Sequence, residues 1–303
     1  MPGIAIVGAG LSGLYAAYLL QESGHTDYVV LEARPVLGGR IASLTLDEPA
    51  PPADRLAPSP AARRFDLGPT WFWPSYQPAL SHLIDALQLG RHAQYEAGET
   101  VVEPAQGAPR RVPGMAGWPT SMRLADGMGS LIDALSGKLE AGKIHADRRV
   151  TAVRRDGAAV DIEARDAQGA PSRYRADIVL LALPPRLAAA TIAFEPALPA
   201  DLEDTWRDTQ TWMAPHAKYL AVYDRPFWRE QGLSGAVRSA RGPMAEIHDA
   251  ASPGGKAALF GFVGVGSEWS PNYPGYLAGA VEAVTLGLDA LLRKAGESAA
   301  CPR

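Results

Sequence analysis

Gly8, Gly10 and Gly13 stand in the spacing G-x-G-x-x-G, and Glu32 ends the next apolar run. That combination can grip a diphosphate and a ribose. Gly8 permits a tight turn, Gly10 lets backbone approach phosphate with no Cβ in the way, and Gly13 allows close packing of helix on strand. A helix opening at this turn aims unpaired N–H groups and its positive end at the anion. An acid at Glu32 can accept both ribose hydroxyls. Soon after it, Gly38-Gly39-Arg40 offers a second clamp, with Arg40 able to make a bidentate, charge-assisted contact to the same diphosphate. Lys218 is a different signal. Period-two alternation puts it on the same strand face as Leu220 and Val222, and a lysine among apolar residues is costly unless it has a partner. A strand-end lysine whose ammonium snorkels to water fits the same pattern.

The elements that position these residues follow from periodicity. Ile4 to Val7 is an uninterrupted apolar run, as in a parallel strand buried on both faces. Leu14, Tyr15, Tyr18 and Leu19 then recur at helical spacing up to Gly24, and Tyr28 to Glu32 is the second strand. This is a βαβ unit, which makes the glycine motif a dinucleotide site. Residues 47–64, rich in proline and alanine, read as an irregular loop. Residues 78–89 and 127–141 read as helices. Asp156-Gly157 marks a hairpin between Val150–Val153 and Val160–Glu163, and Tyr174–Leu183 reads as one strand ended by Pro184-Pro185. The last helix is expected from Gly275 to about Ala295.

Composition narrows the classes. The 303 residues are 47% hydrophobic and 20% charged, with a net charge of −4 and both signs interspersed, which gives no reason to expect nucleic acid or an anionic membrane as partner. No apolar run reaches the length of a membrane span. With Ile4 already in the first core strand there is no room for a leader, so the expectation is cytoplasmic. Cys301 is the only cysteine, which excludes internal disulfides, and the six histidines show no metal spacing, so no metal is expected.

Taken together, these segments resemble the flavin-containing amine oxidoreductase family, over most of the chain. Gly8 to Leu14 and Leu31-Glu32-Ala33-Arg34 match the family's opening, and Gly38-Gly39-Arg40 its second glycine motif. The resemblance therefore implies FAD held by Gly8, Gly10, Ser12, Gly13, Glu32, Arg34, Gly39 and Arg40. Asp66 to Trp71 resembles the segment beside the flavin ring, adding Gly68, Pro69, Thr70 and Trp71. Val150 resembles the position whose backbone meets the adenine, and Ala182-Leu183-Pro184 the strand end near the cofactor. Lys218 and the following Arg225-Pro226-Phe227-Trp228 look like the segment whose lysine holds a water at flavin N5. Glu268, Tyr276 and Leu277 fall at the spacing of the C-terminal flavin motif, where Tyr276 would be one wall of an aromatic cage. Its plain alternative is a packed tyrosine at a helix start. Near Tyr276 and Leu277 the helix opening can aim N–H groups at the flavin C2 carbonyl, where charge develops.

The resemblance implies an α/β fold: a Rossmann-like FAD-binding domain with an inserted α+β substrate-binding lobe. Residues 1–75, 120–190 and 257–303 would form the first, and 76–119 with 191–256 the second. The implied reaction is hydride transfer from a small-molecule amine to non-covalent FAD, with O2 as acceptor. Trp71, Trp73, Trp269 and Tyr273 could line the amine pocket, and Arg123, Arg229 and Arg238 are the arginines able by type to hold an amino-acid carboxylate. The chain is shorter than its relatives. Gly266-Ser267-Glu268 follows almost directly on Phe260–Gly264, with Ala257–Val265 standing in for the strand that leads into that motif. Such a deletion would open the substrate lobe to water, which a second subunit of a homodimer could cover, or leave an FAD-binding protein with little amine turnover.

Overall fold

A strand of four apolar residues needs cover on both faces, and Ile4–Val7 receives it as β1, with Ala5, Ile6 and Val7 buried. The computed structural model describes residues 3–46, 64–114, 117, 119–210, 216–253 and 255–264. The glycine turn leads into α1 (Leu11–Glu22), and β2 (Tyr28–Leu31) returns parallel to β1, Ile4 opposite Tyr28 and Val7 opposite Leu31. Next, β3 (Ser43–Thr45) and β4 (Arg64–Asp66) form an antiparallel ribbon. Helix α2 (Pro78–Ala86) starts on a proline, whose missing N–H costs nothing in the first turn, and buries Leu83 and Ile84. The chain then runs through β5 (Arg91–Ala93), β6 (Glu99–Glu103), β7 (Arg110–Pro113) and β8 (Met122–Leu124). Helix α3 (Gly129–Lys138) turns Leu131, Ile132 and Leu135 inward. After β9 (Ile144–His145) come β10 (Arg149–Asp156) and β11 (Ala159–Arg165), joined at Gly157, whose φ of +63° glycine adopts without strain.

The second half contains β12 (Pro171–Ala176), β13 (Ile178–Leu181), α4 (Pro185–Thr191), β14 (Ala193–Glu195) and α5 (Ala200–Asp208). It continues with β15 (His216–Tyr223), α6 (Phe227–Glu230), β16 (Leu233–Ser239), β17 (Met244–Asp249) and β18 (Ala257–Gly264). Three larger sheets organise these strands: parallel β13-β1-β2-β9, then β12-β11-β10-β14, then β15-β18-β17-β16-β6-β7. One face of the parallel sheet packs Ile6 and Val30 against Leu14, Leu131 and Leu135 of the helices. Its other face packs Ala5, Val7, Val29 and Leu31 against Val150, Ile162 and Ala164 of the second sheet. The fold is α/β, with a Rossmann-like layer between helices and a mixed sheet in which β10 and β14 pair parallel.

Three expectations need adjustment. Tyr174–Leu183 is two strands, because the chain bends at Asp177; there the N–H groups of Asp177 and Ile178 both bond to the Gly3 carbonyl, near 3.0 Å. Thus β12 pairs with β11, and β13 changes sheet to lie beside β1. Second, β18 does not stand in as a strand of the cofactor domain. It pairs antiparallel with β15 and β17, so residues 257–264 belong to the six-stranded sheet. Of the helices expected over 78–89 and 127–141, α2 starts where expected but ends at Ala86, and α3 is shorter at both ends. The proline loop, apart from Arg64, and the helix expected after Gly275 lie outside the described residues.

Candidate functional site

The turn after β1 is built by close backbone contact. A Cβ on Gly13 would lie 1.8 Å from the Gly8 carbonyl oxygen, so Gly13 has no room for any side chain, and Gly8 itself has a φ of +107°. The second glycine pair packs against the first. Gly38 N–H donates to the Ala9 carbonyl at 2.9 Å, and a Cβ on Gly39 would approach the Gly10 Cα to 3.3 Å. Gly10 caps α1 without a side-chain bond, which leaves the N–H groups of the first turn open to a ligand. The Glu32 carboxylate is 6% exposed and accepts from the N–H groups of Ala9 at 2.8 Å and Arg34 at 3.0 Å. Arg34 in turn donates to the Gly39 carbonyl at 2.9 Å. Among the described residues the Arg40 guanidinium makes no hydrogen bond or ion pair, and the residue is exposed.

These groups open onto one continuous cavity of about 1330 Å³. An ordinary small-ligand pocket holds roughly 300–1,000 Å³, so this one has the space for a dinucleotide. Gly8, Gly10, Ser12, Glu32, Arg34, Gly39 and Arg40 line one end of it, and Val150 joins them from β10. Gly68, Pro69, Thr70, Trp71 and Lys218 line the other. Gly13 lies behind the wall and acts through packing. Arg148 and Arg149, beside Val150, and Leu187, Thr191 and Ile192 at α4 also face the cavity. The sequence carried no spacing that would have singled out these α4 residues.

Register explains the lysine end. In the β15–β18 pairing Lys218 stands opposite Phe262 and Leu220 opposite Phe260, so all four share a face. The Lys218 ammonium donates to the Gly68 carbonyl at 3.0 Å and to the Thr70 hydroxyl, and lies 4.1 Å from the Phe260 ring centroid. Its contacts are a carbonyl, a hydroxyl and an aromatic face. Burial pulls its pKa down from 10.5 to about 8, opposed by the charge of Asp66 and reinforced by that of Arg123. It does not snorkel to water. Trp71 packs at 4.9 Å from the His248 ring and 5.2 Å from Phe260, with Trp73 next to it. Burial within this aromatic group holds the His248 imidazole down to about 4, so it is neutral. Trp71 Nε1–H donates to Gln94 Oε1 at 2.8 Å; Gln94 carried no sequence signal.

The buried Asp66 serves the scaffold. Its carboxylate accepts from the Met128 N–H at 2.7 Å, ahead of α3, and burial pushes its pKa up. None of the three candidate arginines for a carboxylate substrate faces the cavity. Arg123 is buried and donates to the carbonyls of Asp249, Ala250 and Ala251 at 3.1–3.5 Å. Arg229 makes a bidentate pair with Asp249 at 2.8 and 2.9 Å, and Arg238 pairs with Glu246. Glu268, Trp269, Tyr273, Tyr276 and Leu277 lie outside the described residues. Among the described residues no group of acids and histidines could hold a metal.

Comparison with known proteins decides the family. Residues 6–87 match the NAD(P)-binding Rossmann-like domain, and residues 106–271, more than half of the chain, match the Flavin containing amine oxidoreductase family. The chain belongs to the flavin-containing amine oxidoreductase family. Within curated proteins it is 32% identical over 138 residues to a probable flavin-containing monoamine oxidase A of Dictyostelium discoideum, covering 44% of this chain and 28% of that protein. To the putrescine oxidase of Kocuria rosea it is 32% identical over 149 residues, or 46% of this chain and 30% of that one. The matches thus span less than a third of either relative. Among solved structures, putrescine oxidase bound to putrescine superposes with a TM-score of 0.72 at 21% identity, over 87% of this chain and 75% of that one. Cyclohexylamine oxidase from Brevibacterium oxydans gives 0.68 at 19%, over the same shares. These likenesses confirm the fold.

The family's cofactor is FAD. The residues present fit it. The Gly10–Gly39 contact is a cradle that side chains would fill, the open N-terminus of α1 suits a diphosphate, and Glu32 presents a buried carboxylate at the ribose position.

Proposed function

We propose that this chain is a cytoplasmic FAD-dependent amine oxidase acting on CH–NH2 or CH–NH donors with oxygen as acceptor. The observation that carries the proposal is the position of Lys218, at the aromatic end of the cavity that the dinucleotide motif opens. FAD, when bound, supplies the hydride acceptor for the amine-bearing carbon and returns the electrons to oxygen. The protein's part is binding and orientation. Gly8, Gly10, Ser12 and Arg40 would hold the diphosphate, Glu32 the ribose, and Val150 the adenine. Trp71, Trp73 and Phe262 offer an amine an apolar wall that favours its neutral, reactive form. Lys218 would hold a water beside the flavin ring, and its neutral partners leave the ammonium free to give or take a proton. Among the described residues no cysteine lines the cavity, and the chain's one cysteine is Cys301, which supports non-covalent FAD. Glu268, Leu277 and the cage residue Tyr276 are proposed for the flavin end on resemblance alone, as is a second subunit covering the shortened lobe.

The shortened lobe favours a second reading, an FAD-binding protein with little amine turnover. The visible spectrum of the purified protein, recorded anaerobically before and after adding amines, separates the two. Flavin bands that bleach with an amine support the oxidase. Bands that persist with every amine overturn it in favour of the second reading, and no flavin uptake at all refutes both.

A further inference from the structure

Gln94 follows β5, and its backbone N–H is fixed by the Ser121 carbonyl at 2.9 Å. Its side chain is 8% exposed and bonded at both ends. The amide oxygen accepts the Trp71 Nε1–H at 2.8 Å, and the amide nitrogen donates to the carbonyls of Asp249 at 2.8 Å and Tyr95 at 3.2 Å. Asp249 cannot shift to follow it. Its carboxylate accepts Trp228 Nε1–H, two N–H groups of Arg229 and the Ala251 N–H, all between 2.8 and 2.9 Å. A buried amide with its oxygen and both hydrogens engaged has one orientation, and reversing it would set donor against donor at Trp71.

Trp71 is the residue through which this network reaches the cavity. One edge of its indole is held by Gln94, while its ring packs between His248, Phe260 and Trp73. Gln94 itself does not line the cavity. We propose that Gln94 is a positioning residue that sets which amine skeletons the cavity admits, by locking the Trp71 indole at its aromatic end. The inference rests on the amine-oxidase reading and adds to it the origin of selectivity between flat or cyclic amines and flexible linear ones. Without the Gln94 acceptor, the indole N–H is left buried and unpaired, and the ring must turn to recover a partner.

The test uses the FAD-loaded protein, its flavin first reduced with dithionite so that it cannot take a hydride, held anaerobically with butylamine, putrescine, cyclohexylamine and benzylamine as probes. Dissociation constants come from quenching of indole fluorescence, which needs no turnover. The Trp71 indole N–H signal is followed by 15N NMR, assigned among the seven tryptophans by its loss in Trp71→Phe. Gln94→Met fills the same space without an acceptor, and Gln94→Leu serves if that variant does not fold. Gln94→Glu keeps the acceptor for Trp71 and, protonated in this buried site, an O–H for the Asp249 carbonyl. The Met variant is expected to shift the Trp71 signal and to change the cyclohexylamine-to-butylamine ratio of dissociation constants by about tenfold, the scale of pocket-shape discrimination. Glu should keep both signal and ratio within about twofold of the parent. In a Trp71→Phe background, Gln94→Met should change the ratio by less than about twofold, since the path through Trp71 is gone. An unchanged ratio in Gln94→Met, or the same change in both backgrounds, overturns the inference while leaving the oxidase reading intact. Failure of the parent to bind any of the four amines overturns both.

Discussion

Replacing Lys218 by methionine tests the reading of its surroundings. Burial lowers this lysine from 10.5 to about 8, and each unit corresponds to about 1.4 kcal/mol. Holding the ammonium in the folded protein at pH 7 therefore costs about 3 kcal/mol relative to the unfolded chain. Methionine has a similar length and carries no charge. Its gain is offset by the Gly68 carbonyl and Thr70 hydroxyl, which lose their donor at a cost of about 1 kcal/mol each. The net expectation is a variant about 1 kcal/mol more stable than the parent at pH 7. The sign of the pH dependence is fixed as well. Between about pH 8 and 10.5 the unfolded chain keeps a proton that the folded protein has released, so the parent gains stability as pH rises through that window. From pH 7.5 to 9.5 the gain is about 2 kcal/mol, and Lys218→Met should lack it. Urea denaturation of both proteins at several pH values supplies the measurement. A variant less stable than the parent at pH 7, or one that keeps the rising limb, would refute the picture of a desolvated lysine among neutral partners.

The same substitution should slow flavin reoxidation by oxygen while sparing anaerobic reduction by amine, read by stopped-flow absorbance; equal loss of both steps removes Lys218 from its proposed role. Gly13→Ala must open a contact of 1.8 Å between backbone and Cβ. It should cost several kcal/mol, of order 3 or more, and abolish FAD retention, seen as a lowered urea midpoint and a colourless protein. Glu32→Gln keeps the shape but sets its NH2 against the N–H of Ala9 or Arg34, losing one bond and weakening the other, so FAD affinity should fall about tenfold in equilibrium dialysis. His248 is held down to about 4 against an ordinary 6.5, so the unfolded chain takes up a proton first as pH drops. The parent should lose roughly 3 kcal/mol of stability between pH 6.5 and 4 from this group, and His248→Phe should flatten that limb of the urea profile.

The cofactor end was legible in the sequence because its physics is local. A glycine that must have no Cβ, an apolar run buried on both faces and an acid ending the next strand lie within one βαβ unit. The hairpin at Asp156-Gly157 was legible for the same reason. What escaped depends on contacts distant in sequence. Nothing in the alternation of Tyr174–Leu183 announces that Asp177 turns to Gly3, or that the two halves join different sheets. Apolar Ala257–Gly264 would suit either sheet, and its partners β15 and β17 decide. Arg123 looked available by type, yet it is buried against three carbonyls. The face of Lys218 was readable from alternation, whereas its partners at Gly68 and Thr70 come from 150 and 148 residues away.

The bend at Asp177 also bears on how the protein comes apart. One residue joins the edge strand β12 of the mixed sheet to an edge of the parallel one, and both amides at the joint are held by Gly3, just ahead of β1. Pulling β1 away therefore frees the joint, and with it the alignment of β12 against β11. The two layers open as one cooperative unit, so the slowest-exchanging amides of β1, β11 and β13 should share a single opening free energy.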